Sequence, residues 1–284
     1  MEIKNINWYP GHMKKTREMI QENLKMVDAA IEVVDARIPI SSRNPIIDEL
    51  IGGKPRIIVL NKSDLADEEI TKEWRESFSK KGYSSLPINS MKGTGIPQLF
   101  QQLLLLQEGL DRKRGRKRML RLMIVGVPNV GKSSLINRLT GKKGAKIGDR
   151  PGVTRGKQWV SLKNGMQLLD TPGILWPKFE DPNVGLNLAF CGCIKDEILD
   201  TSELALKLME VLVKKYPHGL VERYKLEGLK ETPLEVMESI ALKRGYVLSG
   251  KRIDYERTGR SILDEFRSGL IGRITLERVG IENF

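Results

Sequence analysis

The sequence has very little cysteine and lacks long apolar runs. Its only two cysteines, Cys191 and Cys193, exclude a framework of several disulfides, and a reducing cytoplasm is the expected compartment. Two thiols are also fewer than the roughly four ligands of a structural zinc site, so we expect small buried residues there. No apolar stretch has the length of a membrane span, and residues 1–15 lack the apolar centre of a signal peptide.

Acidic residues are too few to balance the basic ones. The chain has 48 Lys and Arg against 36 Asp and Glu, which gives a formal net charge of +12 at pH 7. Such an excess attracts polyanions, of which nucleic acid is the commonest. An anionic membrane is the alternative, but the sequence has neither a basic amphipathic helix with an aromatic face nor a lipidation signal. RNA or DNA is therefore the expected partner.

Hydrophobic periodicity predicts alternating strands and helices in residues 1–179. The predicted strands are 30–34, 56–60, 84–88 and 120–125, and the predicted helices are 13–27, 67–80, 96–106 and 132–139. Helices between short apolar strands imply parallel βαβ units and the α/β class. Segments 158–162 and 166–169 flank Asn164-Gly165, which is typical of a hairpin turn. The sheet should therefore be mostly parallel, with one antiparallel edge.

The pattern changes at two places. Residues 111–118 contain six basic residues in eight, which indicates a solvated linker, a nucleic-acid contact, or both. Residues 180–284 predict a separate, small, all-α domain, with helices starting after Asp200 and Thr232 and a third around Ile262. We expect this domain to bind RNA through scattered basic residues: Lys225, Arg252, Arg257, Arg260 and Arg267.

Residues 126–133, Gly-Val-Pro-Asn-Val-Gly-Lys-Ser, fit the phosphate-loop pattern between a predicted strand and a predicted helix. Glycines let backbone N–H groups turn towards phosphate oxygens, and the helix presents its positive N-terminus. Lys132 should bridge the β- and γ-phosphates in a catalytic role, and Ser133 should ligate Mg²⁺. The predicted nucleotide contacts of this loop are Asn129, Val130, Gly131, Lys132, Ser133 and Ser134.

The base is predicted to be read by Asn61-Lys62-Ser63-Asp64, which follows the strand ending at Leu60. Asp64 can accept hydrogen bonds from guanine N1–H and the N2 amine, whereas adenine offers no donors there. Asn61 should contact the other base edge, and the Lys62 stem should pack on the purine face. A weaker match, Ser90-Met91-Lys92, would contact guanine O6.

The remaining nucleotide motifs come later in the chain. Asp170-Thr-Pro-Gly173 fits the motif in which the aspartate holds Mg²⁺ through water and the glycine N–H meets the γ-phosphate. Thr154 is the candidate switch threonine, with a catalytic role through Mg²⁺, and an ordinary loop threonine is the alternative. Ras-type GTPases place the base-reading motif last, whereas this chain places it first.

These motifs resemble the circularly permuted GTPases of the YlqF/RbgA (ribosome biogenesis GTPase A) type. Further matching segments are 8–13 (Trp-Tyr-Pro-Gly-His-Met), 35–39 (Asp-Ala-Arg-Ile-Pro), 149–154 and 170–177. The resemblance covers the nucleotide domain and extends through the helical tail. It implies a P-loop GTPase that uses GTP and Mg²⁺, binds the large ribosomal subunit precursor and its rRNA, and assists late assembly. We expect a monomer without disulfides or membrane contact.

Two other functions remain as hypotheses. A regulatory GTP switch acting on a protein effector without RNA binding is the main alternative, and the net charge of +12 argues against it. An ATP-dependent module on the same loop is opposed by Asp64.

Hydrolysis should be slow in the free protein. Ile174 occupies the position after Asp-x-x-Gly where many GTPases orient water with glutamine, and an apolar side chain cannot do so. His12 is the candidate replacement, and its alternative role is to cap or pack the first helix.

A cation is a second candidate activator, because Asn129 resembles the asparagine with which potassium-activated GTPases hold K⁺. An ordinary loop asparagine is the alternative. We predict faster GTP hydrolysis in KCl than in NaCl at equal ionic strength, measured as phosphate release. Equal rates in the two salts would count against a K⁺ site.

Overall fold

Strands and helices alternate through the first half of the protein, in a computed structural model that describes residues 10–141, 159–169, 181–194 and 199–280. The strands are β1 (Ala29–Asp35), β2 (Arg56–Asn61), β3 (Ser84–Ile88), β4 (Arg121–Val125), β5 (Trp159–Ser161) and β6 (Gln167–Leu169). The helices are α1 (Pro10–Lys25), α2 (Pro45–Ile51), α3 (Glu68–Lys80), α4 (Ile96–Arg114), α5 (Lys132–Thr140), α6 (Pro182–Phe190), α7 (Thr201–Lys215), α8 (Pro217–Tyr224), α9 (Pro233–Arg244) and α10 (Tyr255–Arg267).

The described strands form one sheet in the order β3-β2-β1-β4-β6-β5. All neighbouring pairs are parallel except β5 with β6, which is antiparallel. The predicted mixed sheet with one antiparallel edge is therefore confirmed. Asn164 and Gly165 in the β5–β6 connection both have positive φ, as the sequence predicted for this hairpin. Because β1 lies between β2 and β4, loops that are far apart in the chain meet at one edge of the sheet.

Helices cover both faces of the sheet. Successive strand residues point to opposite sides, so each strand contributes side chains to both faces. Ile58 and Leu60 of β2 pack with Ile70 and Trp74 of α3 on one face. Strand residues on the other face belong to a second buried cluster that also includes apolar residues of α4 and α5. This is the arrangement that near-continuous apolar strands require.

The C-terminal helices share that second cluster. It runs from Ile31 and Val59 in the sheet to Leu208 of α7 and Phe266 of α10 without a break. Asp200 caps α7, and Thr232 forms a reciprocal capping box with Glu235 at the start of α9, as predicted. The domain boundary near residue 179 stays a prediction.

Two details of the sequence prediction were wrong. The basic segment 111–118 does not interrupt the pattern at residue 111, because α4 continues to Arg114 and ends at Gly115 in a left-handed conformation. Leu270, whose spacing from Ile262, Leu263 and Phe266 predicts that it belongs to the last helix, lies beyond α10 and is exposed. Among the helices that the structure describes, none is long and apolar enough to cross a membrane.

Candidate functional site

The phosphate loop connects β4 to α5, and two of its positions require glycine. A Cβ on Gly126 would lie 2.4 Å from the Val33 carbonyl oxygen of β1, and one on Gly131 would lie 2.3 Å from Asn61 Nδ2. Both glycines also have positive φ, as does Asn129 between them. The loop can therefore turn tightly only because side chains are missing where it approaches β1 and β2.

Lys132 begins α5 and is buried beneath this loop. Its Nζ donates to the carbonyl oxygens of Gly126 at 3.0 Å and Val127 at 2.7 Å. These bonds fix the ammonium group against the phosphate loop. Ser133 and Ser134 follow in the first helical turn, where backbone N–H groups have no helical acceptor. This is the helix N-terminus that favours phosphate.

Asn61 joins three loops at the end of β2. Its Nδ2 donates to the Val130 carbonyl at 2.7 Å, and its Oδ1 accepts from the Ser90 backbone N–H at 3.1 Å and from the Ser90 hydroxyl at 2.7 Å. Both polar atoms of this buried amide are therefore engaged by the protein. The structure gives Asn61 the role of holding the loops together, and its contact with the other base edge stays a prediction.

The loop after β3 carries Ser90, Met91 and Lys92. Ser90 is buried against Asn61, whereas Met91 and Lys92 are exposed at the surface. Arg138 of α5 donates from Nε to the Ser90 carbonyl at 3.2 Å, and its Nη2 donates to the Met91 carbonyl. Sequence reasoning missed Arg138, because its distance from Ser90 along the chain hides the contact and no motif marks it.

Lys62 joins a buried ionic cluster at the end of β1. Its Nζ lies 2.9 Å from Asp35 Oδ2, and Arg37 pairs with both oxygens of the same carboxylate, from Nε at 2.9 Å and from Nη2 at 2.8 Å. Asp35 is fully buried and Arg37 is 1% exposed. Burial alone would raise the pKa of Asp35, but the charges of Arg37 and Lys62 outweigh it and hold that pKa well below its ordinary value.

Arg37 connects this cluster to the C-terminal helices. Its Nη1 approaches the carbonyl oxygens of Phe266 and Arg267, each at 3.4 Å, and its guanidinium lies 5.1 Å from the Phe266 ring centroid. The segment Asp35-Ala-Arg37 was noted in the sequence only as a family resemblance. A buried fork of this kind suits arginine rather than lysine, because the planar guanidinium meets a carboxylate with two parallel bonds.

Asn129 reaches from the phosphate loop to the segment after α6. Its Nδ2 donates to the Gly192 carbonyl at 2.7 Å. Cys191 and Cys193 on either side are free thiols, and their burial agrees with the sequence prediction of small buried residues. Burial raises the pKa of the Cys193 thiol to about 12 and that of Cys191 further, so both are protonated and unreactive at neutral pH.

Arg267 is used inside the structure. It donates from Nε to the Phe190 carbonyl at 3.0 Å and from Nη2 to the Ala189 carbonyl at 2.8 Å, at the C-terminal end of α6. A cation at this position satisfies carbonyl groups that the helix leaves without intrahelical donors. Arg267 therefore has a structural use, and its expected contact with RNA stays a prediction.

Several predicted site residues lie outside the described part of the chain. Thr154, Asp170 and Gly173 are among them, as is Ile174. His12 lies in the first turn of α1, but its side chain is outside the described residues as well. The structure therefore brings together the phosphate loop, the base-reading loop and the Ser90 loop, and the roles of the other residues stay predictions.

The geometry defines the class of protein. A glycine-dependent loop, a helix N-terminus and a buried lysine form a phosphate site after β4. Asn61 links that site to the Asn-Lys-x-Asp motif after β2, which is separated from β4 by β1 in the parallel part of the sheet. The motif order along the chain is that of a circularly permuted P-loop GTPase.

Comparisons with known proteins agree with this class. Residues 121–236 match the family described as 50S ribosome-binding GTPase. The ribosome biogenesis GTPase A of Bacillus cereus is 48% identical over 276 residues, covering 96% of this chain and 93% of that protein. The mitochondrial ribosome-associated GTPase 1 of Mus musculus is 38% identical over 293 residues, covering 95% of this chain and 90% of that protein.

Solved structures give the same result. GDP-bound YlqF of Thermotoga maritima has a TM-score of 0.68 at 30% identity, covering 93% of this chain and 100% of that one. Its GNP-bound form has a TM-score of 0.62 at 30% identity, covering 93% and 98%. The chain belongs to the ribosome biogenesis GTPase A family, and it is a GTPase.

We predict that Asp35→Asn destabilises the fold by about 3–5 kcal/mol at pH 7, because it leaves Arg37 buried without its counter-ion. Urea unfolding would measure this loss. Folding lowers the pKa of Asp35, so the ionised carboxylate contributes fully to the free energy of unfolding at neutral pH. This contribution is lost only as pH falls below the ordinary pKa of 3.8.

Glu49→Gln is the matched control. Glu49 pairs with Arg17 on the surface, where the two side chains are 62% and 45% exposed, so its loss should cost about 1 kcal/mol or less. Equal losses of unfolding free energy for Asp35→Asn and Glu49→Gln would contradict a larger contribution from the buried Asp35–Arg37 pair.

Proposed function

We propose that this GTPase binds a precursor of the large ribosomal subunit, assists its late assembly, and hydrolyses GTP faster when bound. The observation that carries the nucleotide part is the Asn61 amide, which fixes the base-reading loop against the phosphate loop. The names of the relatives support a ribosomal partner, and the net charge of +12 supports contact with rRNA. The expected site of action is the cytoplasm.

The base-reading loop would select guanine through Asp64. This carboxylate is exposed at the turn after β2, at the carboxyl edge of the sheet where open α/β folds bind ligands. A backbone N–H group of the Ser90 loop would donate to guanine O6, whereas the N–H and hydroxyl of Ser90 itself donate to Asn61. Lys62 would pack its stem on the purine face while its ammonium group stays paired with Asp35.

The phosphates would lie against residues 129–134. The tight approaches at Gly126 and Gly131 and the left-handed backbone at Asn129 fit a loop that turns its N–H groups inward. Lys132 would contact the β- and γ-phosphates, and Ser133 would ligate Mg²⁺ together with Thr154 and, through water, Asp170. When bound, Mg²⁺ neutralises charge on the phosphate oxygens. Asn129 Oδ1 is the atom that would hold K⁺.

The RNA surface would lie on the C-terminal helices. Exposed basic residues surround the start of α10: Lys251, Arg252, Arg257 and Arg260. Tyr255 is 39% exposed among them, and an aromatic ring beside basic side chains suits RNA, in which unpaired bases stack on such rings. Arg257 and Arg260 also line a shallow surface depression along α10.

Sedimentation on sucrose gradients tests this function. We predict that the protein travels with isolated large subunits in the presence of a non-hydrolysable GTP analogue and less with GDP. Added salt should release it, because phosphate contacts displace counter-ions. Arg257→Ala combined with Arg260→Ala should weaken the association, whereas Glu222→Ala on α8 should not.

Two outcomes would contradict the proposal. The first is free protein at the top of the gradient with every nucleotide, which would favour a switch that acts on a protein effector. The second is equal affinity for GTP and ATP, which would exclude guanine reading by Asp64.

His12 is proposed to orient the attacking water in place of the missing glutamine at position 174. We predict that His12→Ala lowers GTP turnover in the presence of large subunits about 100-fold or more, at unchanged GTP affinity. Phosphate release measures turnover, and nucleotide titration measures affinity. Unchanged turnover with intact GTP binding would remove His12 from the mechanism.

A further inference from the structure

A short segment that is neither helix nor strand follows α10 and returns to the nucleotide end of the sheet. We call Arg273–Glu277 the strap. Arg273 Nε donates to the Ala66 carbonyl at 2.8 Å, and its Nη2 donates to the Ser63 carbonyl at 3.1 Å. The strap therefore contacts the base-reading loop at Ser63, one of the four residues of the guanine motif.

The strap also holds the backbone of this loop at two further points. The Ile274 backbone N–H donates to the Leu65 carbonyl at 2.9 Å, and the Asp67 backbone N–H donates to the Thr275 hydroxyl at 3.0 Å. Together with the two Arg273 contacts, these bonds fix residues 63 and 65–67. The residue between them, Asp64, has its side chain exposed to solvent.

The far end of the strap is firmly anchored. Both oxygens of the buried Glu277 carboxylate accept backbone N–H groups, from Ile40 at 2.6 Å and Ser41 at 2.9 Å. Trp74 Nε1 donates to the Glu277 carbonyl at 3.1 Å, and the Leu276 N–H donates to the Arg37 carbonyl at 2.8 Å. Because Glu277 and Leu276 are 0% exposed, the strap is a fixed part of the core rather than a loose tail.

We propose that the strap, through Arg273, is a positioning element for guanine recognition: it pre-orders the loop that presents Asp64. This rests on the proposed reading of guanine by Asp64. A carboxylate reads two donors of one base edge only from a fixed position, and ordering its loop at the moment of binding would cost conformational entropy. The strap orders the loop beforehand, so the C-terminal region contributes to base affinity without touching the nucleotide.

The effect should be moderate, since the Arg273 side chain is 49% exposed and its bonds compete with water. We predict that Arg273→Ala weakens GDP binding about five-fold, in the range of residues that act through others. Affinity for IDP, whose base lacks the N2 amine, should fall less. The ratio of the GDP and IDP association constants, measured by calorimetry on the full chain, should therefore decrease.

Three companion variants separate the possible causes. Glu68→Gln breaks the 3.2 Å ion pair with Arg273 but keeps both carbonyl bonds, so the ratio should not change. Arg278→Ala removes an exposed charge next to the strap and should also leave the ratio unchanged. Arg273→Lys keeps the positive charge but replaces the planar guanidinium with an ammonium group. The GDP-to-IDP ratio of this variant should lie between those of the wild type and Arg273→Ala.

Asp64→Ala distinguishes this inference from the function on which it rests. If Asp64→Ala leaves GDP preferred over IDP as in the wild type, the proposed reading by Asp64 fails. If Asp64→Ala abolishes the preference, adding Arg273→Ala should change the ratio no further. An unchanged GDP-to-IDP ratio in a folded Arg273→Ala protein overturns the role of the strap. If that variant does not fold, the same result with Arg273→Lys overturns it.

Discussion

One buried carboxylate organises the nucleotide end of this protein. Asp35 ends the central strand β1 and holds Arg37 and Lys62 in the same cluster. A carboxylate without counter-charges could not remain ionised at this depth, and an arginine at 1% exposure could not remain there without a carboxylate. Arg37 in turn contacts backbone carbonyls at the end of α10. The same charge therefore connects the end of α10 with the base-reading loop.

Backbone carbonyls, rather than side-chain pairs, carry most of the contacts between the loops of the site. Asn61 binds the Val130 carbonyl, Asn129 binds that of Gly192, and Arg138 binds that of Ser90. A bond to a carbonyl fixes the path of the main chain whatever the accepting residue is. A few long polar side chains that reach between loops thus hold the site together.

The sequence predicted those parts that depend on local patterns. Strand β2, helix α3 and the capping box at Thr232 follow from periodicity and cap chemistry, and the mixed sheet follows from their alternation. The phosphate loop and the Asn-Lys-x-Asp motif were recognisable because their spacing is fixed. Arg138 and Arg273 were not, since their partners are carbonyls 48 and 210 residues away along the chain, and any residue can supply a carbonyl. The structural use of Arg267 was hidden for the same reason.

The separation of Ser63 and Arg273 along the chain also constrains the order in which the protein folds. The sheet begins with β1 and β2, but the strap that holds the loop after β2 is added 210 residues later. During synthesis the first strands can pair while that loop is still unsupported, because contacts so far apart in the chain close last. During translation, the base-reading loop therefore gains its contacts with the strap only after the helices that follow the phosphate loop have emerged.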